Sequence, residues 1–174
     1  MTPQELRRNK LAADYEEMRA IRGAVIHWEA THGQRPYFDQ YFLRVRVRTI
    51  VGPGPDYADE VLLRLDLPPD YPFRSAPVIR VDPGPLPFHP NWFTSGHWCY
   101  GDWAPGDGLG FHVIRMVRTL QFEPGMTNLG SIANFEAASW WQSVQNRRYF
   151  PSDRQRLPDF TERRRISIRT VPRR

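Results

Sequence analysis

The sequence predicts one α+β domain: an N-terminal helix, a four-stranded antiparallel meander, a long irregular loop and then further helices. Apolar residues at helical spacing near the start, strict alternation in the middle and helical spacing again later are the observations that predict it. Short connections between successive strands favour antiparallel neighbours. With 174 residues, the chain is long enough to bury its own core.

The first helix is predicted over residues 3–20. Thr2 is suited to the N-cap, Pro3 to the first helical position, and Glu5 completes a capping box. The apolar residues at helical spacing are Leu11, Tyr15 and Met18. These features give the helix both a defined start and a buried face.

Four strands follow, at about 24–30, 41–51, 61–67 and 76–81. The second is the clearest, because apolar residues alternate with arginines throughout, as in a strand with one solvated face. No regular element is predicted from Asp82 to Gly110. A structured loop of that length is usually functional.

Two helices are predicted after this loop, at about 111–122 and 131–146. The first places four apolar residues on one face: Val113, Met116, Val117 and Leu120. In the second, the expected core contacts are Ile132, Phe135 and Trp141. We divide the chain into a core, residues 1–146, and an Arg-rich C-terminal extension, residues 147–174, with a short strand expected around 166–171.

The net charge of +5 comes from that extension, which holds ten arginines against three acidic residues. The rest of the chain is near neutral, which argues against a whole-domain nucleic-acid binder. No apolar run approaches the roughly 20 residues of a membrane span, and the N-terminus lacks a signal-peptide core. We therefore expect a cytoplasmic protein without membrane association, and one cysteine suits a reducing compartment.

The segment from His89 to Trp103, HPNWFTSGHWCYGDW, holds the only cysteine, Cys99. A lone cysteine cannot form an internal disulfide, so it is either inert packing or a nucleophile. Its position between Gly96 and Gly101, in a loop rich in aromatic residues, favours the nucleophile. A metal site from His89, His97, Cys99 and His112 is not favoured, because their spacing matches no zinc pattern.

Five motifs in order resemble the catalytic core of the ubiquitin-conjugating enzyme family over about residues 3–141. His89-Pro90-Asn91 matches the family's tripeptide, and Cys99 follows at the family's spacing. The other matching stretches are Pro69-Asp70-Tyr71-Pro72-Phe73 with Ala76-Pro77, Gly96 ahead of the cysteine, Trp103-Ala104-Pro105, and Ser131-Ile132-Ala133-Asn134 with Ala137-Ala138.

The chain also departs from the family pattern. The stretch from Cys99 to Trp103 is shorter than usual, the approach through 124–130 is longer, and the Arg-rich extension replaces the usual C-terminal helices. This trimmed form resembles bacterial members of the superfamily, which accompany a ubiquitin-like protein and an activating enzyme in operons implicated in defence against phage.

The resemblance implies an enzyme that is a thioester carrier. Cys99 would accept a ubiquitin-like modifier from an activating enzyme and pass it to an amine on a protein target, with lysine the expected acceptor. A thiolate suits both steps, being a good nucleophile and a good leaving group. No cofactor or metal is implied.

Other site residues follow from the same resemblance. Asn91 would donate to the tetrahedral oxyanion, or it braces the loop by bonding backbone groups. Ser131 would position the incoming amine, or it is the N-cap of the last helix. His89 is expected to be structural, and Asp102 could also lie near the amine.

The resemblance also assigns partner-binding residues. Phe73 and the loop of Trp103, Ala104 and Pro105 correspond to ligase-docking positions, with core packing as the alternative and the favoured one for Trp103. The first helix would meet the activating enzyme. Its basic residues are either that docking surface or a solvated face; they are Arg7, Arg8 and Lys10.

Two rival functions remain. One is a catalytically silent scaffold of the same fold, which would bind a ubiquitin-like protein or an activating enzyme. The other is a nucleic-acid role for the extension, whose arginines could contact phosphates. The extension could equally hold an acidic ubiquitin-like protein or bind nothing, and nucleic-acid binding is not favoured.

Overall fold

The computed structural model describes residues 2–159, and it confirms the predicted α+β architecture. The strand expected around 166–171 lies outside the described residues. The helices are α1 (Pro3–Ile21), α2 (Leu109–Leu120) and α3 (Phe135–Gln142), with a 3₁₀ segment at Val144–Tyr149. The strands are β1 (Ile26–Gln34), β2 (Tyr37–Val45), β3 (Thr49–Gly52), β4 (Asp56–Ala58), β5 (Val61–Asp66) and β6 (Val78–Val81).

Helix α1 begins with the predicted capping box. The Thr2 hydroxyl accepts from Glu5 N at 3.2 Å, and the Glu5 carboxylate accepts from Thr2 N at 2.6 Å. The three predicted core residues are all buried, together with Asp14 and Ile21. This helix therefore packs with one face against the sheet.

The main sheet is an antiparallel meander in the order β1-β2-β5-β6. Its inner face forms the core, where Leu43 lies opposite Leu63 and both are fully buried. The single strand predicted over 41–51 is wrong in one respect. The chain leaves the sheet after Val45, and β3 pairs with β4 in a separate hairpin. Since the alternation of residue types continues through the break, the pattern could not reveal it.

Helix α2 starts at Leu109 rather than 111, because α1 caps it. The Asp14 carboxylate accepts from Leu109 N at 3.1 Å, and Glu17 accepts from Gly110 N at 2.9 Å. A Cβ on Gly110 would lie 2.9 Å from Glu17 Cβ, so the close approach of the two helices requires glycine there. All four residues predicted for the α2 core face are buried.

The last predicted helix is shorter than expected. It begins at Phe135, and Asn134 is its N-cap, accepting from Ala137 N at 3.0 Å. Phe135 was predicted to be a core residue, and this is wrong: its side chain is 75% exposed. The buried residues of this helix are the small Ala137 and Ala138, which allow it to pack closely against the body.

The described part of the extension, residues 147–159, packs on the core. Arg154 donates to Gln121 O at 3.0 Å and to Phe122 O at 3.1 Å, just beyond the end of α2. Phe150 stacks on Trp141, and Leu157 packs against the main core. Within residues 2–159, no helix is long and apolar enough to cross a membrane.

Candidate active site

Cys99 lies half-buried on the long loop between β6 and α2. Its backbone is fixed on both sides, because Trp98 N donates to Ile79 O at 3.0 Å and Cys99 N donates to Asn91 O at 2.9 Å. Trp92 beneath the loop is fully buried. The backbone hydrogen bonds and the buried Trp92 thus hold Cys99 in place.

Asn91 is 2% exposed, and its side chain makes the bracing contacts. The amide nitrogen donates to the carbonyl oxygens of Asn128 and Ser131, at 2.8 Å each. The amide oxygen accepts from Asn128 N at 2.7 Å. Asn91 therefore joins the cysteine loop to the long approach to α3.

His89 has the structural role expected of it. Its Nδ1 accepts from Asn91 N at 3.0 Å, and its Nε2 lies 3.2 Å from the Thr127 hydroxyl. Burial lowers the pKa of His89 to about 3, so the ring is neutral at physiological pH. With Nδ1 as an acceptor, the proton lies on Nε2 and is donated to Thr127.

Ser131 lies beside the cysteine. Its Oγ is 3.5 Å from Cys99 Sγ, and its carbonyl oxygen is 3.9 Å from the same sulfur. The alternative role as helix N-cap is wrong, because Asn134 caps α3. The segment 124–130, which leads directly to Ser131, is the one that is longer than the family pattern.

A small cavity of about 120 Å³ adjoins the thiol. It is lined by Cys99, Asn91, Trp98, Tyr100, Arg115 and residues 125–128. Arg115 donates to Tyr100 O at 3.1 Å. Neither Arg115 nor Asn128 was identified as a site residue from the sequence. The only available signal was the unusual length of the segment 124–130, which contains Asn128. Asp102 is exposed beyond the cavity.

His112 on α2 is enclosed by aromatic rings. Its ring centroid lies 4.9, 5.0 and 5.1 Å from those of Trp98, Tyr100 and Trp103. Burial is the main cause that lowers the pKa of His112 to about 3. Trp103, whose indole donates to Pro72 O at 3.3 Å, is thus part of the packing under the loop, as the favoured alternative stated.

The histidines and Cys99 do not gather into a metal site in the part of the chain that the structure describes, where no three His, Cys, Asp or Glu residues are grouped to hold an ion. His89 and His112 are enclosed separately, by the polar loop and by the aromatic rings. His97 instead lies 3.1 Å from the Ser95 hydroxyl.

The predicted partner-binding residues differ in accessibility. Phe73 is 52% exposed, so the alternative of core packing is wrong for it, and Ala104 and Pro105 are exposed too. Arg7 instead donates to Pro68 O at 2.8 Å and to Tyr71 O at 3.0 Å.

On α1, Lys10 also makes internal contacts, binding Asp14 at 2.5 Å and Asp107 O at 2.7 Å. Arg8 is exposed, with its guanidinium 4.4 Å from the centre of the Tyr37 ring. Of the three basic residues predicted to meet the activating enzyme, Arg8 is therefore the most accessible.

Comparison with known proteins shows local sequence similarity to a curated plant protein. The chain is 38% identical over 64 residues to "Probable ubiquitin-conjugating enzyme E2 16" from Arabidopsis thaliana, which is 34% of this chain and 38% of the relative. The chain thus matches well under half the length of that relative. No protein-family model matches the sequence.

Among solved structures, the chain is similar to "Structure of human Ubiquitin-conjugating enzyme E2 G1". The TM-score is 0.49 at 17% identity, over 69% of this chain and 97% of that one. This local similarity, over 64 residues, agrees with the resemblance that the motifs indicated.

Proposed function

We propose that this protein carries a ubiquitin-like modifier as a thioester on Cys99 and transfers it to an amine on a protein target. The main support is the placement of the thiol, on a half-buried residue beside a small cavity, with the Ser131 hydroxyl 3.5 Å from its sulfur. A cysteine that only fills space would be buried in apolar surroundings. Here polar groups converge on a thiol that solvent can reach.

In the first transfer, the Cys99 thiolate attacks the glycyl carbonyl carbon of the activating enzyme's thioester. A tetrahedral oxyanion forms, and it collapses with release of the activating enzyme's thiolate. In the second transfer, an amine attacks the new thioester and forms the C–N bond. The Cys99 thiolate leaves, and the surplus ammonium proton passes to solvent.

Ser131 would orient the incoming amine. Its hydroxyl oxygen can accept a hydrogen bond from that amine while the nitrogen approaches the carbonyl carbon above the sulfur. When the protein holds the amine and the thioester in an attack geometry, the translational and rotational entropy of bringing them together is already lost on binding, so the barrier to reaction is lower. Because the Ser131 hydroxyl is neutral, it can orient the amine but has little effect on whether the amine is protonated.

The partners would be an activating enzyme, a ubiquitin-like protein and a protein target, with cytoplasmic phage defence in bacteria as the setting. The exposed side chains of Phe73, Ala104 and Pro105 offer an apolar anchor for a ligase, and the bond from Trp103 to Pro72 O brings the two segments together. Arg8 is the basic side chain of α1 best placed to meet an activating enzyme. Arginines of the extension would hold an acidic modifier surface.

A charging assay tests the proposal. The protein would be incubated with an activating enzyme, its ubiquitin-like protein and ATP, and run on a non-reducing gel. We expect a band heavier by one modifier that disappears with thiol reductant and is absent in Cys99→Ala. No such band, with an activating enzyme that charges itself, would favour the catalytically silent scaffold.

A further inference from the structure

The contacts of Asn91 leave the oxyanion without its expected donor. An amide nitrogen carries two hydrogens, and both hydrogens of Asn91 are directed to backbone carbonyls, of Asn128 and of Ser131. To donate to an oxyanion, Asn91 would have to give up one of these two bonds, each 2.8 Å long. Another group must therefore supply the donor if the loop keeps this arrangement.

Asn128 has a side-chain amide with a defined orientation. Its Oδ1 accepts from Gly130 N at 2.9 Å. A backbone N–H can donate to the amide oxygen but not to the NH₂ group, so this bond identifies which atom is Nδ2. Asn128 Nδ2 donates to no residue within 2–159, and its two hydrogens are available.

Asn128 is exposed to solvent and lies next to the cysteine loop. Asn128 lines the same cavity of about 120 Å³ as Cys99. A Cβ built on Gly101, two residues after the cysteine, would have Asn128 Nδ2 as its nearest neighbour, at 3.8 Å. Glycine at 101, with φ at +82°, thus leaves the space between the amide and the cysteine loop open.

Asn91 holds Asn128 from both sides. It accepts from Asn128 N at 2.7 Å and donates to Asn128 O at 2.8 Å, so the buried amide fixes the backbone from which the second amide projects. Such fixed donors need no reorganisation when the negative charge develops, which is the main condition for oxyanion stabilisation.

We propose that Asn128 is the side-chain donor to the tetrahedral oxyanion and that Asn91 is a positioning residue that acts through it. This inference rests on the proposed thioester function. In each transfer, an N–H of Asn128 donates to the former carbonyl oxygen while the new bond to carbon forms. This hydrogen bond from Asn128 is lost again when the carbonyl reforms and the thiolate leaves.

The test uses the full chain and a small acyl donor, so that no activating enzyme is needed. A glycylglycine thioester of 2-mercaptoethanesulfonate would acylate Cys99, and lysine would then discharge the acyl group, with both steps followed by intact mass. The variants are Asn128→Ala, Asn128→Asp, Asn91→Ala and the double Asn91→Ala/Asn128→Ala. Asn128→Asp keeps the oxygen that accepts from Gly130 but removes the donor.

We expect Asn128→Ala and Asn128→Asp to slow both steps by about 10²–10³-fold, the usual cost of losing one oxyanion donor. The double variant should be no slower than Asn128→Ala, because Asn91 acts through Asn128. Asn146→Ala, which removes an amide bonded to Trp140 O away from the cavity, should react like the wild type.

A dithioester donor separates donation from loop structure, because a C=S group accepts hydrogen bonds weakly. The wild type should favour the oxygen substrate, and Asn128→Ala should lose most of that preference. An unchanged preference, or wild-type rates in Asn128→Asp, would overturn the inference while leaving the thioester function intact. Wild-type acylation no faster than that of free cysteine would overturn the proposed function and the inference with it.

Discussion

Two buried polar networks organise this protein, one around Asp14 and the other around Asn91. The Asp14 carboxylate, 1% exposed, accepts from Lys10 at 2.5 Å, from the Tyr71 hydroxyl at 2.6 Å and from Leu109 N at 3.1 Å. Asn91 and His89 make a comparable set of bonds with neutral groups only. One network joins elements of secondary structure, and the other joins two loops.

The networks differ in where they end. The Asp14 network closes on itself, since each polar side chain in it has a partner, and it serves the packing of α1 on α2. The Asn91 network ends at Cys99 and Asn128, which line a cavity, and at the Ser131 hydroxyl, which lies 3.5 Å from the Cys99 sulfur. A polar cluster that closes stabilises a fold, whereas one that ends in free groups on rigid supports can perform chemistry.

The largest expected effect comes from removing the charge at the centre of the first network. Asp14→Ala should lower the free energy of unfolding by about 3–5 kcal/mol, because Lys10 loses its buried partner and Leu109 N its cap. Urea unfolding at neutral pH measures this. Glu16→Ala is the matched control, since it breaks an exposed α1 pair with Arg19 and should cost less than about 1 kcal/mol. Equal losses would contradict the comparison.

Acid should weaken the protein through its two buried histidines. Their pKa values are lowered to about 3 in the folded state, from an ordinary 6.5, so the unfolded chain binds more protons between these values. Stability is full above pH 6.5 and falls as the pH drops towards 3, by up to about 2 kcal/mol per histidine at pH 5. Burial raises the pKa of Asp14, which acts in the opposite sense below that raised value.

Urea unfolding at pH 7 and pH 5 measures this loss. His112→Phe, which keeps an aromatic ring among Trp98, Tyr100 and Trp103, should remove about half of it. Stability that stays constant from pH 7 to 5 in the wild type would contradict the neutral, buried state of both rings.

Removing Asn91 should lower stability less than removing Asp14 does, but it should slow the reaction of Cys99 more. Asn91→Ala leaves Asn128 N without its acceptor and removes one donor each from the carbonyls of Asn128 and Ser131, at a cost of about 1–3 kcal/mol. Thermal melting and the acylation rate of Cys99 would be measured together. If Asn91→Ala lowers the melting temperature but leaves the acylation rate of Cys99 unchanged, the structure of the loop does not control the chemistry.

The smallest stability effect is expected at the proposed docking surface. Phe73→Ala should change the free energy of unfolding by no more than about 0.5 kcal/mol, because the ring is half-exposed. Charging of Cys99 should be unchanged, whereas transfer that depends on a ligase should weaken. Calorimetry and the charging gel measure the two effects, and a large fall in melting temperature would show that Phe73 serves the core instead.

The sequence predicted those parts of the fold whose pattern is local. The capping box at Thr2 and the buried face of α2 follow from residue spacing alone. The break of the second strand after Val45 could not be predicted, because the residues on either side keep the same alternation. The start of α2 depends on carboxylates from α1, which are distant in sequence.

The site was predictable only in part, for the same reason. Cys99 and Asn91 lie within one stretch of chain, and Ser131 was found through a resemblance that covers a distant motif. Asn128 belongs to a segment that departs from the family pattern, so no motif marked it. Its role follows from which hydrogens Asn91 has already used, and only three-dimensional contacts reveal that.

The proposed function requires Cys99 to carry the modifier. Its most direct test is to charge Cys99→Ser with the activating enzyme, the ubiquitin-like protein and ATP, and to locate any adduct by mass spectrometry. We predict an oxyester at residue 99 that survives thiol reductant, because an alkoxide leaves far less readily than a thiolate. An adduct elsewhere in the chain, or none from an activating enzyme that charges the wild type through another residue, would contradict the account.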